Sequence, residues 1–116
     1  MNNLDIPILK KTCELYKAFH EYGRSVPKQD RFTIYERSEN LILDMTEALL
    51  SAGYAGRLDK VSALKIASDK LNLLRFFIRL MKETRTIDNK RYVALEEQVD
   101  KIGLMLGGWL RSSAGK

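Results

Sequence analysis

Tyr92-Val-Ala-Leu-Glu-Glu-Gln-Val-Asp-Lys-Ile-Gly-Leu-Met-Leu-Gly-Gly-Trp-Leu-Arg-Ser112 carries the reading of the fold. Tyr92, Leu95, Val99, Ile102 and Leu106 recur three and four apart, which is the period of one face of an amphipathic α-helix. Asp88 stands where an N-cap belongs, with Ile87 and Tyr92 spaced as a hydrophobic staple. The helix then meets Gly103, Gly107 and Gly108 beside the single tryptophan, Trp109. Each glycine costs a helix about 1 kcal/mol against alanine, so the backbone there either approaches something closely or stops. Two readings stand. Gly107-Gly108 closes the helix in the left-handed terminal conformation, with Trp109 and Leu110 folding back. Alternatively, Gly103 and Gly107 make a small-residue face for a second helix.

Three further segments of the same period lie upstream. One runs from about Asp59 to Thr84 through Leu64, Ala67, Leu71, Leu74, Ile78 and Met81. Before it, a segment from about Lys28 to Ala52 carries Ile34, Leu41, Met45, Ala48 and Leu49, and Gly53-Tyr-Ala-Gly56 stops it. The first runs from about Pro7 to Tyr22 with Ile8, Leu15, Tyr16, Phe19 and Tyr22, and Gly23-Arg-Ser-Val-Pro27 ends it. Nothing alternates with period two, and no repeat or linker divides the chain. Residues 1–116 therefore read as one all-α domain, an antiparallel up-down four-helix bundle. A chain of this length buries roughly two-thirds of its unfolded surface.

Composition excludes several classes. No apolar run approaches the ~20 residues that cross a bilayer, so no membrane partner is expected. Met1–Pro7 lacks a basic region followed by an apolar core, and one cysteine, Cys13, forms no internal disulfide. Both point to the cytoplasm. His20 is the sole histidine, which removes the paired Glu-x-x-His motifs of a di-iron bundle. Cys13 and His20 share a helix face but stand ~10.5 Å apart along it, too far for a nucleophile and its base. Glu96 and Glu97 are adjacent and diverge. The glycine-rich segment lacks the Lys-Ser/Thr of a phosphate loop. No catalytic residue, metal or cofactor is expected.

Apolar residues exceed what one core needs. Phe32, Leu43 and Leu50 line up on a second face of their helix, and Val93 and Leu104 stand opposite the Tyr92–Leu106 stripe. Such lines suggest faces buried between subunits of a homo-oligomer. The charge is also concentrated. Between Gly56 and Ile87 there are eight Lys/Arg against three acids, which equals the whole net charge of +5. Arg75, Arg79 and Lys82 form one stripe, joined on the same helix by Arg57, Lys60 and Lys65. Lys10, Lys17 and Arg24, at intervals of seven, make a second line. Stripes of this kind either follow a phosphate backbone or are solvated helix faces, and any binding of RNA or DNA rests on phosphates, because no base-reading module is present.

Three blocks also resemble a known family. They are Pro27-Lys-Gln-Asp-Arg-Phe-Thr33, Ala67-x-x-x-Leu-x-x-Leu-Arg-Phe-Phe-Ile-Arg-Leu80, and Tyr92-x-x-Leu95 through Ile102-Gly-Leu-Met-Leu-Gly-Gly-Trp109. In order and spacing they resemble the accessory variability determinant (Avd) proteins of diversity-generating retroelements, with the Met-Leu-Gly-Gly-Trp block the most specific. The resemblance implies a four-helix-bundle protomer in a cylindrical homopentamer, basic on its surface. It implies binding to the element's reverse transcriptase and to nucleic acid in support of mutagenic copying, without polymerase activity. It places Arg75 and Arg79 on the basic surface, and Gly103, Gly107, Gly108 and Trp109 in the terminal motif. The family pattern has a basic residue where this chain has Leu104 and a smaller one at Tyr35, so this surface is expected to be more apolar here. Bundle proteins encoded in intervening sequences of large-subunit ribosomal RNA genes are similar too, but match less well at Gly-Gly-Trp. A structural scaffold with protein partners only is the other alternative.

Overall fold

A computed structural model describes residues 5–114. In chain order the helices are α1 (Asp5–Tyr22), α2 (Lys28–Asp30), α3 (Glu36–Tyr54), α4 (Arg57–Glu83) and α5 (Asn89–Ala114). A 3-10 turn, Gly23–Ser25, follows α1, and a π-helical turn, Arg31–Tyr35, joins α2 to α3. Among the described residues there is no strand. The body extends 46 × 22 × 20 Å. α3 packs on α1 and α4, while α5 packs on α4 and α1, so α1 and α4 occupy diagonal corners. Short connections reverse the chain between neighbours, which gives the expected up-down bundle.

The core follows the sequence period. Leu64, Ala67, Leu71, Leu74, Ile78 and Met81 are all buried along α4, as are Leu95, Val99, Ile102 and Leu106 along α5. Thr12 and Ser38 are buried as well, and each hydroxyl is satisfied by the carbonyl four residues earlier. Thr12 Oγ1 donates to the Ile8 carbonyl and Ser38 Oγ to that of Ile34, both at 2.8 Å. Asp88 caps α5 as its sequence position suggests, accepting from the Arg91 backbone N–H at 2.8 Å.

Three features depart from expectation. First, α5 continues through all three glycines to Ala114, and no described glycine has a positive φ. The reading in which Gly107-Gly108 closes the helix is therefore overturned. Second, the left-handed closing residue belongs to α4 and is Arg85, at φ 62°. The Arg85 N–H donates to Lys82 O at 3.1 Å and the Thr86 N–H to Met81 O at 2.8 Å, which satisfies the last carbonyls of α4. Third, the expected single helix from Lys28 is interrupted by the π-helical turn, whose wider winding takes an extra residue per turn. At its end Tyr35 is buried, stacked on Phe19 with ring centroids 4.1 Å apart, and its hydroxyl donates to the Phe19 carbonyl. The expectation that Tyr35 adds apolar surface is thus corrected: the residue belongs to the core. Burial pushes its phenol well above the usual value, with Glu39 adding to the shift.

Candidate nucleic-acid interface

The basic residues of α4 differ in what holds them. Arg75 Nη1 meets Asp100 Oδ1 of α5 at 2.5 Å, so its charge is compensated across the α4–α5 groove. That groove, ≈ 520 Å³, is lined among others by Ser68, Asn72, Gly103, Leu104 and Gly107. Gly103 leaves room for the guanidinium, because a Cβ there would stand 2.5 Å from Arg75 Nη2 and the tip would have to shift. Both partners are substantially exposed, and such a pair contributes about 0.2–1 kcal/mol. Lys82 Nζ lies 4.5 Å from the Tyr92 ring centroid, and Lys60 Nζ lies 5.9 Å from that of Trp109. Each ammonium rests on an aromatic face. Arg57, Lys65 and Arg79 are exposed, and none makes an ion pair among the described residues.

The second basic line does not join the first. Lys10 and Lys17 are exposed on α1, the helix diagonal to α4, and Arg24 in the turn after it pairs with Glu21 at 3.5 Å. The structure therefore brings together the α4 residues and leaves the α1 residues on another side of the bundle. Sequence spacing could not reveal this, because it is the packing order of the helices that sets it.

The candidate subunit contacts divide similarly. Phe32, Leu43, Leu50, Val93 and Leu104 are all exposed in the protomer, Leu104 at 77%. Gly103 is covered by the Arg75 side chain, and Trp109 packs partly against the core. Sequence reasoning missed Tyr54, Leu58, Ile66, Leu73 and Phe76, which are exposed as well, Leu58 at 83%. Ile66 and Leu73 are seven apart on α4, a second line that was available in the sequence beside the core stripe. Phe32 also shares a groove of ≈ 500 Å³ with Ile34, Phe77 and Leu80.

His20 Nδ1 faces Glu39 Oε2 at 3.4 Å on the surface, and Cys13 is exposed. Among the described residues no group of three His, Cys, Asp or Glu is placed to hold a metal. No described helix is long and apolar enough to cross a membrane. What the surface offers is distributed charge and apolar area on helices, an arrangement that can bind, and His20, Glu36 and Glu39 share one cleft of ≈ 340 Å³ with Arg24 and Arg31.

A family model described as bAvd-like matches residues 6–113, a span that takes in all four long helices and the Gly-Gly-Trp block. The chain belongs to the bAvd-like family. A solved structure of a protein of unknown function from the S23 ribosomal protein family, from Bacteroides thetaiotaomicron VPI-5482, is similar in fold. It superposes with a TM-score of 0.83 at 19% identity, covering 93% of this chain and 98% of that one. At that identity the likeness concerns the fold alone. Comparison with curated proteins yields no match. The bAvd-like chain thus shares its bundle fold with that protein.

Proposed function

We propose that this bAvd-like chain is a non-enzymatic, cytoplasmic accessory protein of a diversity-generating retroelement. It assembles with copies of itself, as a homopentamer, and binds the element's reverse transcriptase and its RNA or cDNA. Family membership supports the setting. The observation that carries the binding role is the charge of α4, where Arg57, Lys65 and Arg79 stand exposed with no acidic partner among the described residues. Such charge attracts phosphates and releases their counterions. Fluorescence anisotropy with labelled RNA and DNA should show affinity falling steeply between ~50 and ~200 mM salt. A flat salt response, or no binding, sinks the mechanism. Co-purification with the neighbouring reverse transcriptase tests the protein partner.

One observation favours a second reading. Exposed apolar residues occur on α3, α4 and α5, and Arg75 is taken up by Asp100. A scaffold with protein partners only, or a protein of the ribosomal-RNA intervening-sequence type, would need no free phosphate-binding stripe. The scaffold predicts the same assembly without appreciable nucleic-acid affinity.

A further inference from the structure

Two connections meet at one end of the bundle. Thr86 Oγ1, in the turn after α4, donates to Asp30 Oδ2 of α2 at 3.1 Å. The Arg91 guanidinium lies 5.4 Å from the ring centroid of Tyr22 at the end of α1. These ties make one surface of the two turns, with a cleft of ≈ 180 Å³ between them lined by Tyr22, Ser25, Pro27, Arg85, Asp88 and Arg91. Residues 23–31 and 82–91 hold seven Lys/Arg against three acids. Two of those acids are occupied: Asp88 holds Arg91 at 2.7 Å and Asp30 accepts from Thr86. Glu83 is exposed, and Lys28, Arg85 and Lys90 make no ion pair among the described residues.

Arg85 is the unusual member. It is the one non-glycine residue with positive φ among the described residues, in the position where helices favour glycine because a Cβ is strained there. Its side chain is exposed and gains nothing visible within the protomer to offset that strain. Favourable interaction with the α4 dipole is already supplied by Lys82 in the last turn, in ordinary helical geometry. A long cation held in a strained turn, beside a cleft with a second guanidinium, fits a ligand outside the chain.

We propose that Arg85 anchors a phosphate-binding surface at this end of the bundle. With Lys28 and Lys90 it grips the sugar–phosphate backbone of a nucleic acid, an inference that rests on the binding role proposed above. The test is Arg85→Gly in the full chain, with Lys101→Ala, an exposed α5 residue, as the control. Probes are a fluorescein-labelled oligouridylate and a labelled DNA duplex. Relief of strain should raise the melting temperature by about 2–4 °C. Affinity should fall roughly 3–10-fold, and the log–log salt slope should drop by roughly 1, as for one lost phosphate contact. The control should move neither quantity. Unchanged affinity in Arg85→Gly, with salt-sensitive binding by the parent chain, overturns the end surface and leaves the broader reading standing. Weaker binding with a lower melting temperature makes Arg85 a structural cap and also overturns it. No binding by the parent chain removes both.

Discussion

Replacing Gly107 and Gly108 together by alanine should stabilise the protein. Both residues lie inside α5 with negative φ, so alanine fits the backbone. A Cβ at Gly107 would come 3.4 Å from Arg111 Nη1, and one at Gly108 would come 3.9 Å from Arg111 Nη2, ordinary contacts with a flexible tip. Each replacement removes about 0.5–1 kcal/mol of backbone entropy cost. With about 2.1 cal/mol/K of unfolding entropy per residue, a chain of 116 residues shifts its midpoint about 4 °C per kcal/mol, so the pair should raise it by about 4–8 °C. Circular-dichroism melting gives the midpoint, and sedimentation velocity on the same samples gives the assembly state. A lower midpoint with assembly intact would refute the argument that these glycines burden α5. A higher midpoint with unchanged assembly would take Gly107 out of any subunit contact. Gly103→Ala differs, because its Cβ would displace the Arg75 guanidinium. The helix gain is then offset by loss of the Asp100 pair, and the net change should lie near zero.

The other predictions rest on single contacts. Tyr35→Phe should cost about 0.5–1.5 kcal/mol through loss of the hydroxyl's bond to Phe19 O, read by urea denaturation. Because the folded state holds the Tyr35 proton more tightly than the unfolded chain, this phenol's contribution is full below about pH 10 and is lost as pH rises beyond it. The Phe variant should therefore show a shallower alkaline decline, and an identical decline would exclude Tyr35 as its source. A double-mutant cycle of Arg75→Ala and Asp100→Ala should give a coupling of about 0.2–1 kcal/mol that vanishes in high salt; Arg79→Glu should weaken nucleic-acid binding more than Arg75→Ala. Leu104→Glu should leave protomer stability within about 0.5 kcal/mol but reduce the sedimentation coefficient of an oligomer that buries Leu104, and an unchanged coefficient removes that residue from the interface.

Much of the bundle was legible because its signal is local. The α4 stripe from Leu64 to Met81 is both periodic in sequence and buried in full. Ile42 belongs to the same period and was passed over, although its spacing from Met45 and Leu49 carried the signal. The π-helical turn has no comparable signature, since winding is decided by what Tyr35 meets across the core. The site was less legible than the fold. Arg75 reads as a free cation until Asp100, twenty-five residues away, is placed beside it. Likewise, spacing leaves the relation between the lines on α1 and α4 open until the order of packing sets them at diagonal corners. Arg85 did leave a trace, for the third helix ends in Thr-Arg-Thr with no glycine or asparagine where closure needs one.

The turn from Arg31 to Tyr35 also sets how the chain tolerates changes in length. Deleting one residue there would turn the wide π turn into a regular α-helical turn of nearly the same rotation, so α2 would keep its phase relative to α3. Asp30 would stay near Thr86, and Arg31 near the Gly23 and Val26 carbonyls it now reaches. The bend at Ala55-Gly56 at the other end of α3 makes no such side-chain ties, and a Cβ at Gly56 would meet nothing within 4 Å. A one-residue change in length should thus be absorbed in the π-helical turn as an exchange of π for α winding, and longer changes should accumulate near Gly56.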